Sequence, residues 1–249
     1  MNAPKIRYHE PAPTENDAQA LRRVIAGRRS VRKFTSRPIP PEVLDDCIDL
    51  ALLAPNSSNL QPWAFYKVQS PAKKRELVDI CLGQNAAASA AELIVVVART
   101  DTWREHARLN LERFPTQPLP KLVQQYYQLV VPLAYTQGPL SSLGLLRKRI
   151  SRLSSRLRPV PQGPCSHEEM RLWACKSTAL AAENLMLALR AHGFDSCPME
   201  GYDERRLARL LDLDADAMSI MVIGAGERAP DGVYYPQLRF ERERFVFSV

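Results

Sequence analysis

Residues 166–193 carry the signature of one long helix. Ser166-His167-Glu168-Glu169 fits a capping box, in which a serine hydroxyl and a glutamate three positions on satisfy the first free N–H groups. The helical pattern runs to His192, and Gly193 supplies the stop. Against this helix stands Leu93 to Ala98, an unbroken apolar run that reads as a buried strand. A long helix and a buried strand in one chain, with more helix than strand elsewhere, make α+β the expected class.

The other elements fill in around these two. Glu15 to Ala26 reads as a helix with Leu21, Val24 and Ile25 on its apolar face, and Gly27 stands where a left-handed C-terminal residue is expected. Arg37-Pro38-Ile39-Pro40-Pro41 leads into a helix marked by Val43, Leu44, Cys47, Ile48 and Ala51. Trp63 to Val68 is a strand candidate, and Ser70-Pro71 starts a helix that Gly83 ends. Later come a short helix over Asp203 to Leu211, a strand over Ala217 to Ile223, and a strand-like tail over Phe245 to Val249. Between the halves, about 99–165 is rich in proline and basic residues, with helical patches and no strong strand, and reads as an insertion. The whole of 1–249 is expected to be a single domain. At 249 residues and 45% hydrophobic it can bury one substantial core.

The net charge of +7 and the pI near 9.3 favour anionic ligands or surfaces. No zinc-finger spacing or aromatic-rich basic platform points to nucleic acid. Cys47, Cys81, Cys165, Cys175 and Cys197 are scattered without a CxxC pair, as expected of reduced, packed thiols in a cytoplasmic protein. Met1 to Asn16 lacks the basic-then-apolar pattern of a signal peptide, and no run of about 18 apolar residues is long enough to span a membrane. His9, His106, His167 and His192 are dispersed and read as surface or cap residues, and Asp45-Asp46 as a solvated helix face. No Ser/His/Asp arrangement, metal cluster or motif-bound carboxylate pair is visible.

Four polar stretches remain. Gly27-Arg28-Arg29-Ser30-Val31-Arg32-Lys33-Phe34 sets guanidinium forks beside a hydroxyl, a donor set that suits phosphate or carboxylate, although a solvated basic turn has the same composition. Pro55-Asn56-Ser57-Ser58-Asn59-Leu60-Gln61-Pro62-Trp63 groups amides and hydroxyls that could bind ribityl hydroxyls or ring carbonyls; ordinary turn chemistry explains it equally. In Cys197-Pro198-Met199-Glu200-Gly201-Tyr202 the glycine could let a backbone N–H approach a planar ligand; the alternative is a plain inter-helix loop. Gly224-Ala225-Gly226-Glu227-Arg228, with Pro236-Gln237-Leu238-Arg239, could close on a phosphate or be a turn with surface arginines.

Together, in this order, the stretches resemble the nitroreductase family of FMN-dependent NAD(P)H oxidoreductases, over roughly Ala18 to Ala98 and Ser166 to Arg239. The resemblance implies a mixed sheet flanked by helices in an intertwined homodimer with FMN at the interface. It implies that Arg28, Arg29, Ser30 and Arg32 hold the flavin phosphate, ribityl chain or ring edge. Asn56, Ser57, Asn59 and Gln61 would line the flavin from the other protomer. Gln84 or Asn85 would meet the pyrimidine edge, Gly201, next to Glu200, would face N5, and Arg239 would hold the phosphate. The family often has lysine two residues before that arginine; here Gln237 stands there, with Arg228 as the compensating cation. NAD(P)H would deliver hydride to the flavin, which would reduce a flat aromatic acceptor, a nitroaromatic or quinone, in a ping-pong cycle. Such cofactor chemistry needs no protein nucleophile. Residues 234–249 would cross to the partner, and the insertion, with Tyr126-Tyr127 and Leu129 to Leu133, would act as a lid; Trp103, Phe114 and Tyr126 are its candidate aromatics, and core packing explains them equally. A flavin-dependent dehydrogenase or dehalogenase, or a membrane-peripheral flavin-binding protein without turnover, are the rival readings.

Within the insertion, Leu143, Leu146, Ile150, Leu153 and Leu157 form one helical stripe. Arg147, Lys148, Arg149, Arg152, Arg156 and Arg158 fall between and beyond them, and 140–158 contains no acidic residue. The favoured expectation is that the stripe packs on the domain or a partner; the other is that it lies on an anionic membrane.

Overall fold

The computed structural model describes residues 12–161 and 163–249. The reading of the N-terminus over residues 1–11, with His9, lies outside them.

Four strands form one sheet in the order β1 (Trp63–Lys67), β2 (Glu92–Arg99), β4 (Ala217–Gly226), β3 (Asp195–Met199). All three pairings are antiparallel, and the mixed character expected of the sheet is confined to a parallel bridge between Ser30 and Ser196. Ile220 is the extra residue where the β2–β4 register shifts, between Val96 and Val97.

β2 reads as an unbroken apolar run because both faces of the sheet are covered. Leu93, Val95 and Val97 face a core shared with α3 (Pro71–Ile80), α4 (Asn85–Ala88) and α10 (Glu204–Leu210). Ile94 and Val96 face a core built by α2 (Pro41–Leu52) and α9 (His167–Ala191). α9 buries pairs of residues about every fourth position: Trp173 and Ala174, Ser177 and Thr178, Ala181 and Ala182, Leu185 and Met186, Ala188 and Leu189. The Ser166 hydroxyl accepts the Glu169 N–H at its start, and Gly193, at φ 84°, turns the chain at its end.

The insertion is helical: α5 (Trp103–Glu112), α6 (Lys121–Gln125), a π-turn over Tyr126–Val130, α7 (Val131–Tyr135) and α8 (Ser142–Ser154). It has its own core, in which Trp103, Val131 and Tyr135 pack on Met170 and Trp173 of α9. Trp103 and Tyr135 are thereby structural.

Three local expectations are corrected. Gly27 has no left-handed φ; it ends α1 (Glu15–Gly27), and a Cβ there would stand 3.1 Å from the Arg190 guanidinium, so closeness rather than backbone freedom explains it. Cys197 to Met199, within the stretch for which a plain inter-helix loop is the alternative, belong to edge strand β3 (Asp195–Met199), which contains Pro198, a residue that edge positions tolerate. Phe245 to Val249 forms no strand within this chain and lies exposed.

Candidate functional site

The basic turn is held in extended form from two sides. Val31 and Phe34 are buried, which leaves Arg29, Ser30 and Arg32 toward the surface. On one side the Val31 N–H donates to the Ser196 carbonyl of β3 at 3.1 Å. On the other, the Arg32 N–H donates to the Gly232 carbonyl at 2.7 Å, and the Ala229 N–H to the Lys33 carbonyl at 3.1 Å. Gly232 is required for this approach, since a Cβ on it would stand 2.4 Å from the Lys33 oxygen. The Lys33–Asp231 and Arg37–Glu227 ion pairs close the outer edge.

Arg28, Arg29, Ser30 and Arg32 line a cavity of about 370 Å³, closed on its other side by Val233 to Arg239. Four arginines and no carboxylate face it, so its potential is strongly positive. Arg29 donates to the Tyr235 carbonyl at 2.5 Å, Arg28 lies 3.6 Å from Glu183 of α9, and Arg239, among the described residues, bonds only its neighbouring carbonyl, of Leu238. The Arg32 guanidinium sits 6.0 Å from the Tyr234 ring centre. The Tyr234 hydroxyl in turn accepts from Asn85 Nδ2 at 3.4 Å, and Gln84 Nε2 donates to the Gly201 carbonyl at 2.7 Å. The basic turn, Tyr234, Asn85, Gln84 and Gly201 therefore make one continuous surface. Glu200 is exposed beside Gly201, with no side-chain partner among the described residues.

Arg228 does not belong to it. Its guanidinium grips Asp195 through two bonds, at 3.0 and 2.8 Å, and reaches the Gly27 carbonyl at 3.3 Å. Arg190 bonds the same carboxylate from α9. Asp195 is only 2% exposed, so the two cations are its solvation shell. The compensating role expected of Arg228 is not met, because its guanidinium is committed to Asp195 and does not line the cavity. Gly224 and Gly226 also leave the site: they lie inside β4, where a Cβ would meet the Ala86 carbonyl oxygen at 2.6 Å and Phe34 at 3.1 Å. Asp195, which the sequence reading missed, holds the base of the arginine turn.

The amide- and hydroxyl-rich loop is elsewhere. Asn56 Oδ1 accepts the Gln61 N–H at 2.8 Å, and Gln61 Nε2 donates to Asn59 Oδ1 at 3.3 Å. Ser57 bonds the Tyr135 hydroxyl at 3.1 Å, Ser58 that of Tyr126 at 2.7 Å, and Asn59 bonds Asn110 at 2.6 Å. Ser58, Asn59 and Gln61 all have positive φ, a strained backbone of the kind that clusters at ligand sites. α9 measures the separation. Thr178 ties the Pro62 end of this loop, and Arg190 ties Asp195 beneath the arginine turn. Those anchors are twelve residues of helix apart, about 18 Å along its axis, while Glu183, which meets Arg28 of the cavity, lies five residues from Thr178, about 8 Å. Within one chain the loop and the arginine cavity form two separate clusters.

Four of the thiols are buried and Cys175 is half-buried. All five are free, and burial pushes Cys47 up to about 12 and Cys81 to about 11. No group of three metal-ligating side chains occurs among the described residues.

The sequence profile of the Nitroreductase family matches residues 25–226. The chain is 26% identical to the NADH dehydrogenase of Thermus thermophilus over 219 residues, 88% of this chain and 91% of that one. Among solved structures it is similar to a nitroreductase-type protein, ydfN, of Bacillus subtilis, with TM-score 0.73, 22% identity and coverage of 93% of this chain and 100% of the other. It is also similar to one from Exiguobacterium sibiricum in complex with FMN, with TM-score 0.67, 20% identity and coverage of 92% and 97%.

Proposed function

The chain belongs to the nitroreductase family, and on that premise we propose that it is an FMN-dependent oxidoreductase that takes hydride from NADH or NADPH and reduces flat electrophiles such as nitroaromatics or quinones. The observation that carries this reading is the cavity of about 370 Å³ faced by Arg28, Arg29, Arg32 and Arg239 with no acidic neighbour in its lining. The residues fit the group: FMN ends in a phosphate dianion, and guanidinium forks with a serine hydroxyl are its natural donors. When bound, FMN would supply the redox chemistry, taking up hydride from the nicotinamide donor and reducing the acceptor in a ping-pong cycle.

The chain's own residues bind and orient. Arg29 and Arg239 hold the anionic end, while Arg32 and Tyr234 lead from it toward Asn85, Gln84 and Gly201. A cation near the ring edge favours the reduced, more anionic flavin. Asn56, Ser57, Asn59 and Gln61 would line a flavin from a second copy, since none of them lines the arginine cavity of its own chain. A homodimer is therefore part of the proposal. Exposed apolar residues support it: Leu21 and Ile25 on α1, Leu172 and Leu180 on α9, and Tyr235, Phe240 and Phe247 in the tail. Residues 234–249 would cross to the partner, and Tyr126 and Tyr127 of the insertion would overhang its site. A cytoplasmic setting, where five free thiols stay reduced, completes the reading.

The purified chain should be yellow, bleach on anaerobic addition of NADH or NADPH, and regain colour with a nitroaromatic or quinone. Arg29→Ala should lower FMN affinity at least roughly ten-fold, the loss of one charge-assisted contact. A chain that takes up no FMN, or an Arg29→Ala variant that retains it unchanged, refutes the assignment.

A further inference from the structure

α8 meets the protein through its polar side. Gly144, Arg147, Lys148, Ser151 and Ser154 turn inward, whereas Leu143, Leu146, Ile150 and Leu153 are each more than half exposed. Leu140 and Leu157, at 95% and 91% exposure, extend the stripe past both helix ends. The expected packing of this stripe on its own domain is therefore not what the fold does.

The rotation is fixed by specific contacts. A Cβ on Gly144 would stand 2.3 Å from the Cys165 carbonyl oxygen, so only glycine lets the backbone come this close. Arg147 donates to the carbonyls of Leu133, Thr136 and Pro164. Lys148 pairs with Glu169 in the first turn of α9, and that carboxylate also accepts the Cys165 N–H. Turning the leucines inward would break all of these contacts at once.

What remains outside is apolar and cationic. Arg149, Arg152, Arg156 and Arg158 have no ion pair among the described residues, and 140–158 holds no acidic side chain. On a helical projection Arg149, Arg152 and Arg156 form a band along the outer flank of the leucine stripe. The other exposed apolar regions differ: acids stand among the tail aromatics at Glu241 and Glu243, and Asp17 lies on α1. A second copy of a chain with net charge +7 would be repelled by four unmatched arginines, so charge complementarity calls for an anionic surface. At 13 residues α8 is about 20 Å long, too short to cross roughly 30 Å of hydrocarbon, and no single helix among the described residues is long and apolar enough to do so; Lys121–Tyr135 and Pro139–Ser154 suffice together by length and composition, but they are bent by 82° and the first half buries Val131 and Tyr135 in the core.

We propose that α8 and its flanks dock this protein on an anionic lipid bilayer. Leu143, Leu146, Ile150, Leu153 and Leu157 enter the acyl boundary, and Arg149, Arg152 and Arg156 lie at the phosphates. The docking surface is independent of the cofactor reading.

The test is flotation of the full-length chain with vesicles of phosphatidylcholine alone or mixed with phosphatidylglycerol, at about 0.1 M salt, where charges beyond roughly 10 Å are screened. The chain should float with the anionic vesicles and stay behind with the neutral ones. Combined Arg149→Gln, Arg152→Gln and Arg156→Gln should weaken binding on the order of 100-fold, at about five-fold per basic residue. Combined Leu146→Ser, Ile150→Ser and Leu153→Ser should weaken it at least roughly ten-fold. Circular dichroism should be unchanged for both, because the substituted side chains are exposed. Failure of the wild-type chain to float overturns the proposal. So does a leucine variant that floats normally, since charge alone would then explain the attraction. A leucine variant that loses an oligomer in light scattering while its flotation is unchanged would assign the stripe to a contact between copies instead.

Discussion

Replacing Asp195 by asparagine keeps the side chain's shape and removes its charge. The carboxylate accepts two bonds from Arg228, at 3.0 and 2.8 Å, and two longer ones from Arg190, at 3.2 and 3.4 Å. Removing one member of a fully buried ion pair costs about 3–5 kcal/mol, while an exposed pair is worth about 1 kcal/mol or less. Here the carboxylate is buried, but the arginine side chains are 31% and 32% exposed, so water relieves part of their loss. A cost of about 2–3 kcal/mol follows, and for a domain of this size about 2–4 °C of Tm per kcal/mol translates it into a drop of about 4–12 °C. Thermal unfolding of the flavin-free chain measures it. Arg228→Met should cost less in the Asp195→Asn background than in the wild type, by about 1 kcal/mol, since the two residues share an interaction. A Tm loss below about 1 °C, or strictly additive costs, would refute the view that Asp195 anchors the arginine turn.

Two further outcomes follow from local geometry. Gly232→Ala would drive a Cβ to 2.4 Å from the Lys33 oxygen, a backbone atom that cannot yield easily; a loss of about 1–3 kcal/mol is expected, and an unchanged denaturant midpoint would contradict it. The bonds from Lys148 and the Cys165 N–H hold the Glu169 carboxyl below its ordinary value near 4.5. A lowered native pKa means a contribution present in full above pH about 4.5 and lost as pH falls through that lower value. Wild type should therefore be more stable than Glu169→Gln at pH 7, with the two melting curves converging in acid. A difference that persists at low pH would point to packing rather than charge.

The elements that announce themselves in the sequence are those whose pattern is complete along the chain. β2 shows because every residue from Leu93 to Ala98 is apolar, and α9 because its cap, its periodicity and Gly193 agree. The arginine turn was visible for the same local reason. What escaped depends on distant partners. β3 is five residues long, begins with Asp195 and Ser196 and contains Pro198, so neither alternation nor propensity marks it. Arg228 looked available because nothing near it in sequence hints at a carboxylate 33 residues back. The wheel of α8 correctly separates two faces, but which of them meets the body is decided by Glu169 and by the Leu133, Thr136 and Pro164 carbonyls. No helical periodicity records those.

The two borders of the sheet are not equivalent. Along β3, Pro198 has no N–H to offer and the Ser196 carbonyl already receives Val31, so an incoming chain finds no ladder to join. Beside β1 no such blockade exists among the described residues. Growth by strand addition is thus one-sided: a visiting segment can be accepted once, next to Trp63–Lys67, and the far border cannot pass the process on. Under the proposed exchange of tails, two molecules would complete each other and stop, and the same asymmetry that admits a companion would forbid a filament.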